Sequence, residues 1–140
     1  MWERRFTNTL KQTISIDKFV RKRKVSKYKN IIKGLFEKKA EDLLAIDVSK
    51  QATYTDFIVL CTASSTKHAQ TLADKVIEET KKSKMRVMVE GYNLGEWILI
   101  DVGTIIFHIF LQDIRTLYDL EGLWHGALFY QIEELQKNDE

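Results

Sequence analysis

Two apolar runs, Trp97–Val102 and Ile105–Leu111, flank the dipeptide Gly103-Thr104. A glycine at the first position of a two-residue loop suits a β-hairpin, because its backbone reaches the positive φ that such turns need. The loop length then fixes the register: Val102 pairs with Ile105, Ile100 with Phe107 and Ile98 with Ile109. Successive side chains of a strand point to opposite sides. One face of the hairpin therefore carries Ile98, Ile100, Val102, Ile105, Phe107 and Ile109, all apolar, and is a core face. The other carries Trp97, Leu99, Asp101, Ile106, His108 and Phe110. Either a helix of the same chain covers this second face, or part of it is exposed and meets a partner.

The rest of the chain supplies the layers around the hairpin. Asp56–Ala63 is apolar at every central position, as in a strand covered on both faces, which makes it central in its sheet. Ser64 and Ser65 follow, and either can cap a helix. That helix is expected to run to about Lys84, burying Ala69, Leu72, Ala73, Val76 and Ile77. A strand over Arg86–Glu90 completes a βαβ unit. Upstream, residues 30–42 read as a helix with Ile31, Ile32, Leu35 and Phe36 on one face. Leu43–Val48 reads as a first strand. Downstream, Asp113–Trp124 reads as a short helix with a Leu117, Leu120 and Trp124 seam. Residues 126–137 read as a last helix with Leu128, Ile132 and Leu135 inward.

At 140 residues this is one domain, long enough to bury a core without disulfides. The single cysteine, Cys61, lies in an apolar strand and reads as a small buried hydrophobe. One Cys and three scattered His build no zinc site. No apolar run approaches ~20 residues, so no membrane span is expected.

Charge is unevenly distributed. Residues 1–29 hold ten Lys/Arg and two Asp/Glu, whereas residues 30–140 hold twelve and eighteen. Residues 88–140 alone hold ten Asp/Glu against two Lys/Arg. Such a split speaks of partners rather than of fold. The basic N-terminal arm, residues 1–29, reads as a solvated, disordered tail or as a segment lying on nucleic-acid phosphate, with a targeting segment the weaker third reading because no clear amphipathic helix or cleavage site follows. In the second case Arg21, Lys22, Arg23 and Lys24 are the candidate RNA contacts.

His108 and Asp101 share the second face of the hairpin and invite a catalytic reading. In the register above Leu99, not Asp101, lies opposite His108, and no Ser or Cys nucleophile accompanies them. A histidine hydrogen-bonded within the sheet is the better account.

In order, the motifs Asp56–Ser65, Glu90-Gly91, Trp97-Ile-Leu-Ile-Asp-Val-Gly103, His108-Ile-Phe110 and Arg115–Trp124 resemble the Iojap, or RsfS, ribosomal silencing factors. The resemblance covers residues 30–124. Residues 1–29 and the C-terminal tail, 125–140, lie outside it. It implies a single α/β domain with a mixed sheet of about five strands flanked by helices, related in fold to nucleotidyltransferases. No cofactor is expected, and the lack of a clear transit peptide favours the bacterial cytoplasm, with an organelle left open. The resemblance further implies a protein that binds the large ribosomal subunit through large-subunit ribosomal protein fourteen, blocks joining of the small subunit, and represses translation when nutrients are scarce. Free members form homodimers. The residues it assigns to the protein-binding surface are Trp97, Leu99, Arg115, Tyr118 and Glu121, with Asp101, His108 and Trp124 in support. The resemblance says nothing about the basic arm; that it rests on adjacent ribosomal RNA is a separate expectation from its charge.

Two other classes compete with this one. A nucleotidyltransferase usually needs an Asp-x-Asp pair to hold two metals. The chain has none, so it is read as a binding protein and not an enzyme. A general RNA-binding module led by the basic arm would bind free RNA whatever happens to Trp97.

Overall fold

The computed structural model describes residues 11–134. Among them, seven strands form one mixed sheet. The strands are β1 (Lys11–Ser15), β2 (Glu41–Asp47), β3 (Phe57–Ala63), β4 (Met88–Glu90), β5 (Trp97–Asp101), β6 (Ile105–Leu111) and β7 (Leu128–Glu133). Their order across the sheet is β1-β7-β2-β3-β6-β5-β4. The β1–β7 and β3–β6 pairs are parallel and the other four are antiparallel. Five α-helices accompany them: α1 (Ile16–Lys22), α2 (Lys29–Glu37), α3 (Thr66–Lys82), α4 (Gln112–Tyr118) and α5 (Leu120–Leu123).

The hairpin has the register read from its loop. Ile98 pairs with Ile109 and Ile100 with Phe107, and Val102 N–H donates to the Ile105 carbonyl across Gly103-Thr104. Gly103 takes φ +95°, the left-handed conformation that the turn requires. All six residues of the expected core face are buried. Ser65 caps α3 by accepting the His68 N–H, as expected of one of the two serines. β3 is buried along its whole length and lies in the middle of the sheet.

The two faces of the sheet are covered differently. α1, α2 and α3 pack on one side, where Phe19, Tyr28, Ile31, Ile32, Leu35, Leu72 and Val76 meet Ala45, Val59, Ile98, Phe107 and Tyr130. The other side has no long helix. Leu44, Ile46, Ile58, Leu60, Phe110 and Phe129 form a smaller cluster there, closed by Ala52, Trp97, Leu120 and Trp124.

The sheet has seven strands rather than about five, and the extra two come from the segments expected to be an arm and a tail. Residues 11–29 are not a disordered arm. Ser15 accepts the Lys18 N–H at 3.2 Å and caps α1, whose Ile16, Phe19 and Val20 enter the core. Residues 1–10 lie outside the described part. The tail is not helical over 128–133 either. Gly126, at φ +91°, precedes β7, which pairs with β1 and β2. The spacing of Leu128 and Ile132 suits a helix, but Leu128 is exposed while Phe129, Tyr130 and Ile132 are buried. Both faces of the sheet are covered at β7, so Tyr130 is buried in the larger cluster and Phe129 in the smaller one. Leu135, the third residue of that expected helix seam, lies outside the described residues.

The Asp113–Trp124 helix is likewise two short ones. Asp119 breaks it at φ +45° and caps α5, its carboxylate accepting the Gly122 N–H. Aspartate tolerates this left-handed conformation better than most residues.

Candidate docking surface

β5 and β6 present their second face on the side without a long helix. Across the sheet, Leu44, Leu60, His108 and Leu99 lie in one row. Thr62, Phe110 and Trp97 lie in the next. Leu111 ends β6 and leads straight into α4, so that helix folds back beside the Phe110 row.

Trp97 is the pivot of the site. Its indole Nε1–H donates to His108 Nδ1 at 3.0 Å. Its ring meets Phe110 edge-on at 5.0 Å and Tyr118 at 4.9 Å between centroids. Such aromatic pairs each add about 1 kcal/mol beyond area burial. The indole is half-buried: one part seals the smaller cluster and the rest faces outward beside Tyr118.

His108 is the support beneath it. Because Nδ1 accepts from Trp97, the neutral ring carries its proton on Nε2. Burial pushes the His108 pKa down to about 4, so the ring is neutral at pH 7. Asp101 is paired across the sheet with Ile106, and its Oδ1 accepts the Gly103 N–H at 2.8 Å. It holds the hairpin turn and does not serve His108. Neither residue has the surroundings of an acid–base pair.

Arg115 departs most from its expected place. Its spacing to Tyr118 predicts an exposed neighbour, but it is buried. Its Nη1 donates to the Asp42 carbonyl at 2.9 Å and to Thr62 Oγ1 at 2.8 Å. Its Nη2 pairs with Glu121 at 3.3 Å. Asp42 sits at φ +50°, where the β2–β3 register shifts, so Arg115 ties α4 and α5 to an irregular strand end. A guanidinium can do this because it offers five donors in a rigid fork. Glu121 is largely committed to this ion pair, and Arg115 positions the surface without forming part of it.

The exposed part of the site is apolar. Tyr118 is 55% exposed, Leu117 72% and Leu123 69%. Leu99 and Trp124 are half-buried at its borders. Sequence reasoning misses Leu117 and Leu123 as surface residues, since helical spacing assigns Leu117 to a buried seam. The structure has two short helices in place of the expected one, and Leu117 and Leu123 are exposed on them. Between Glu90 and Glu121 the chain has six acidic residues and one basic one, the buried Arg115. The stretch of sequence that carries the patch is therefore acidic.

Elsewhere the described residues show no group of three or more His, Cys, Asp or Glu placed to hold a metal. Cys61 is buried, and burial pushes its thiol up to about 12, which makes it unreactive. No helix among the described residues is long and apolar enough to cross a membrane.

A family model described as ribosomal silencing factor during starvation, RsfS, matches residues 21–140. The chain belongs to the RsfS family. The ribosomal silencing factor RsfS of Haemophilus influenzae is 37% identical over 87 residues, covering 61% of this chain and 85% of that one. Its Bacillus subtilis counterpart is 33% identical over 92 residues, 65% of this chain and 78% of the relative. A crystal structure of a Chromobacterium violaceum protein aligns with a TM-score of 0.69 at 30% identity, over 72% of this chain and 85% of that one. The RsfS match extends beyond residues 30–124, the span of the resemblance seen in the motifs. It takes in α1 from Arg21 onward and all of β7.

Proposed function

We propose that the chain silences ribosomes by docking on the large subunit through large-subunit ribosomal protein fourteen. Bound there, it blocks the small subunit from joining and represses translation under nutrient limitation. The carrying observation is the exposure of Leu117, Tyr118 and Leu123, with Tyr118 packed on Trp97, in an acidic stretch of sequence. Large exposed apolar side chains around an aromatic anchor fit a hot spot on a protein partner. The acidic excess of residues 88–140 fits a basic partner, as most ribosomal proteins are, and speeds encounter with it. The names of the relatives, ribosomal silencing factors, support the same reading. This function needs no catalysis and no cofactor, and its setting is the bacterial cytoplasm, with the free protein a homodimer.

Co-sedimentation with purified subunits tests it. The wild-type chain is expected to pellet with large subunits and not with small ones. Equal binding to both would sink the assignment.

A further inference from the structure

We propose that a groove between β1 and α1 is a second docking site, one that takes the phosphate backbone of RNA. Gln12, Thr13 and Ile14 from β1 and Lys18, Arg21 and Lys22 from α1 line a groove of about 400 Å³. α1 buries Ile16, Phe19 and Val20 in the core, which turns Lys18, Arg21 and Lys22 outward together. Their i, i+3, i+4 spacing puts the three cations on one ridge. Lys22 Nζ donates to Gln12 Oε1 at 3.2 Å, which holds that ammonium across the groove.

The surrounding segment strengthens the field. Residues 11–29 contain eight Lys/Arg and one acid, Asp17, which is paired with Lys29 at 2.8 Å. Arg23 is the exception among the four residues expected to touch RNA. It turns inward to pair with Asp47, its guanidinium over Phe57 and Tyr130. It locks the segment to the sheet and leaves Arg21, Lys22 and the exposed Lys24 for a ligand.

The chemistry favours RNA over an anionic membrane. A membrane-binding helix needs an exposed apolar face beside its basic one. Here the large apolar residues of 14–28 are all buried, so no exposed apolar face lies beside the cations. Polyanion binding by such a surface is driven by release of counterions from phosphates.

Five inter-strand steps separate β1 from β5, about 24 Å at the usual spacing. The groove and the Trp97 patch can therefore be occupied at once, by RNA and by protein. The inference rests on the large-subunit reading for the source of the RNA. The groove's own affinity is measured without it.

The test is fluorescence anisotropy of the full chain with a labelled single-stranded RNA, titrated at several salt concentrations. Arg21→Ala/Lys22→Ala is expected to lose about tenfold in affinity at low salt. Its slope of log K against log salt should fall by about 1.4, at roughly 0.7 per phosphate contact. Lys67→Ala/Lys81→Ala, which removes two exposed lysines from α3, and Trp97→Ala are expected to keep wild-type RNA binding. Equal losses in the Arg21/Lys22 and Lys67/Lys81 variants would attribute binding to net charge and overturn the groove. So would unchanged binding in the Arg21/Lys22 variant, or binding to phosphatidylglycerol vesicles with none to RNA. If Arg21→Ala/Lys22→Ala melts early, Arg21→Gln/Lys22→Gln keeps the side-chain length and takes its place: lost affinity supports the groove and unchanged affinity overturns it. Loss of large-subunit pelleting with RNA binding intact would count against the protein-docking reading alone.

Discussion

At the scale of single residues, the proposed docking surface depends on two buried polar side chains beneath it, His108 and Arg115. The His108 pKa lies well below its unfolded value, so the unfolded chain binds the proton first. Stability is therefore complete above about pH 6.5 and is lost as pH falls toward about 4, by on the order of 3 kcal/mol. Protonation also puts a hydrogen on Nδ1, where the Trp97 N–H now donates. Unfolding midpoints in urea from pH 7.5 to pH 4 should show this loss, and His108→Phe should remove most of it. Arg115→Leu should cost about 3 kcal/mol, because it strands Glu121, Thr62 and the Asp42 carbonyl together. Denaturant titration measures that directly. The structural place of His108 is legible in the sequence, since the hairpin register puts Leu99 and not Asp101 opposite it. The place of Arg115 is not. Its partners at Asp42 and Thr62 lie 73 and 53 residues away in sequence, so local spacing carries no trace of them.

At the scale of elements, local pattern works where one face of a segment is buried and misleads where charge or helical spacing dominates. The hairpin, β3 and α3 follow from alternation, a continuous apolar run and a capped apolar stripe. β1 and α1 are hidden in a segment, residues 11–29, that carries eight positive charges, although Ile16, Phe19 and Val20 already have helical spacing. β7 is hidden because Leu128 and Ile132 satisfy a helix as readily as a strand. Without β7, β1 loses its only described neighbour and β2 loses one side. A chain ending at His125 is therefore expected to show no cooperative unfolding transition, by circular dichroism or calorimetry. Gly91 is a smaller but equally local requirement. It sits at φ +80°, and a Cβ there would lie 2.2 Å from the Trp97 carbonyl. Gly91→Ala should cost about 2 kcal/mol and shift Trp97, read as a change in its fluorescence.

At the scale of the whole molecule, the basic segment lies at the β1 edge on the face covered by the long helices, and the apolar surface around Trp97 lies on the opposite face. Deleting residues 1–29 cannot isolate the basic part. It would remove Ile14, Ile16, Phe19, Val20, Val25 and Tyr28 from the core along with the charges. Point substitutions of exposed groups are the usable tools, and the same holds on the other face. Trp97→Ala disturbs Phe110 and His108 as well as any partner. Leu117→Glu/Tyr118→Ala changes only side chains that are already more than half exposed. The most direct measurement is therefore light scattering of subunit joining, with purified large subunits preincubated with protein and then mixed with small subunits. The wild-type chain should block joining. The Leu117→Glu/Tyr118→Ala variant, at an unchanged unfolding midpoint, should need at least about tenfold more protein for the same block. A variant that blocks joining as well as the wild type would contradict the assignment of this surface.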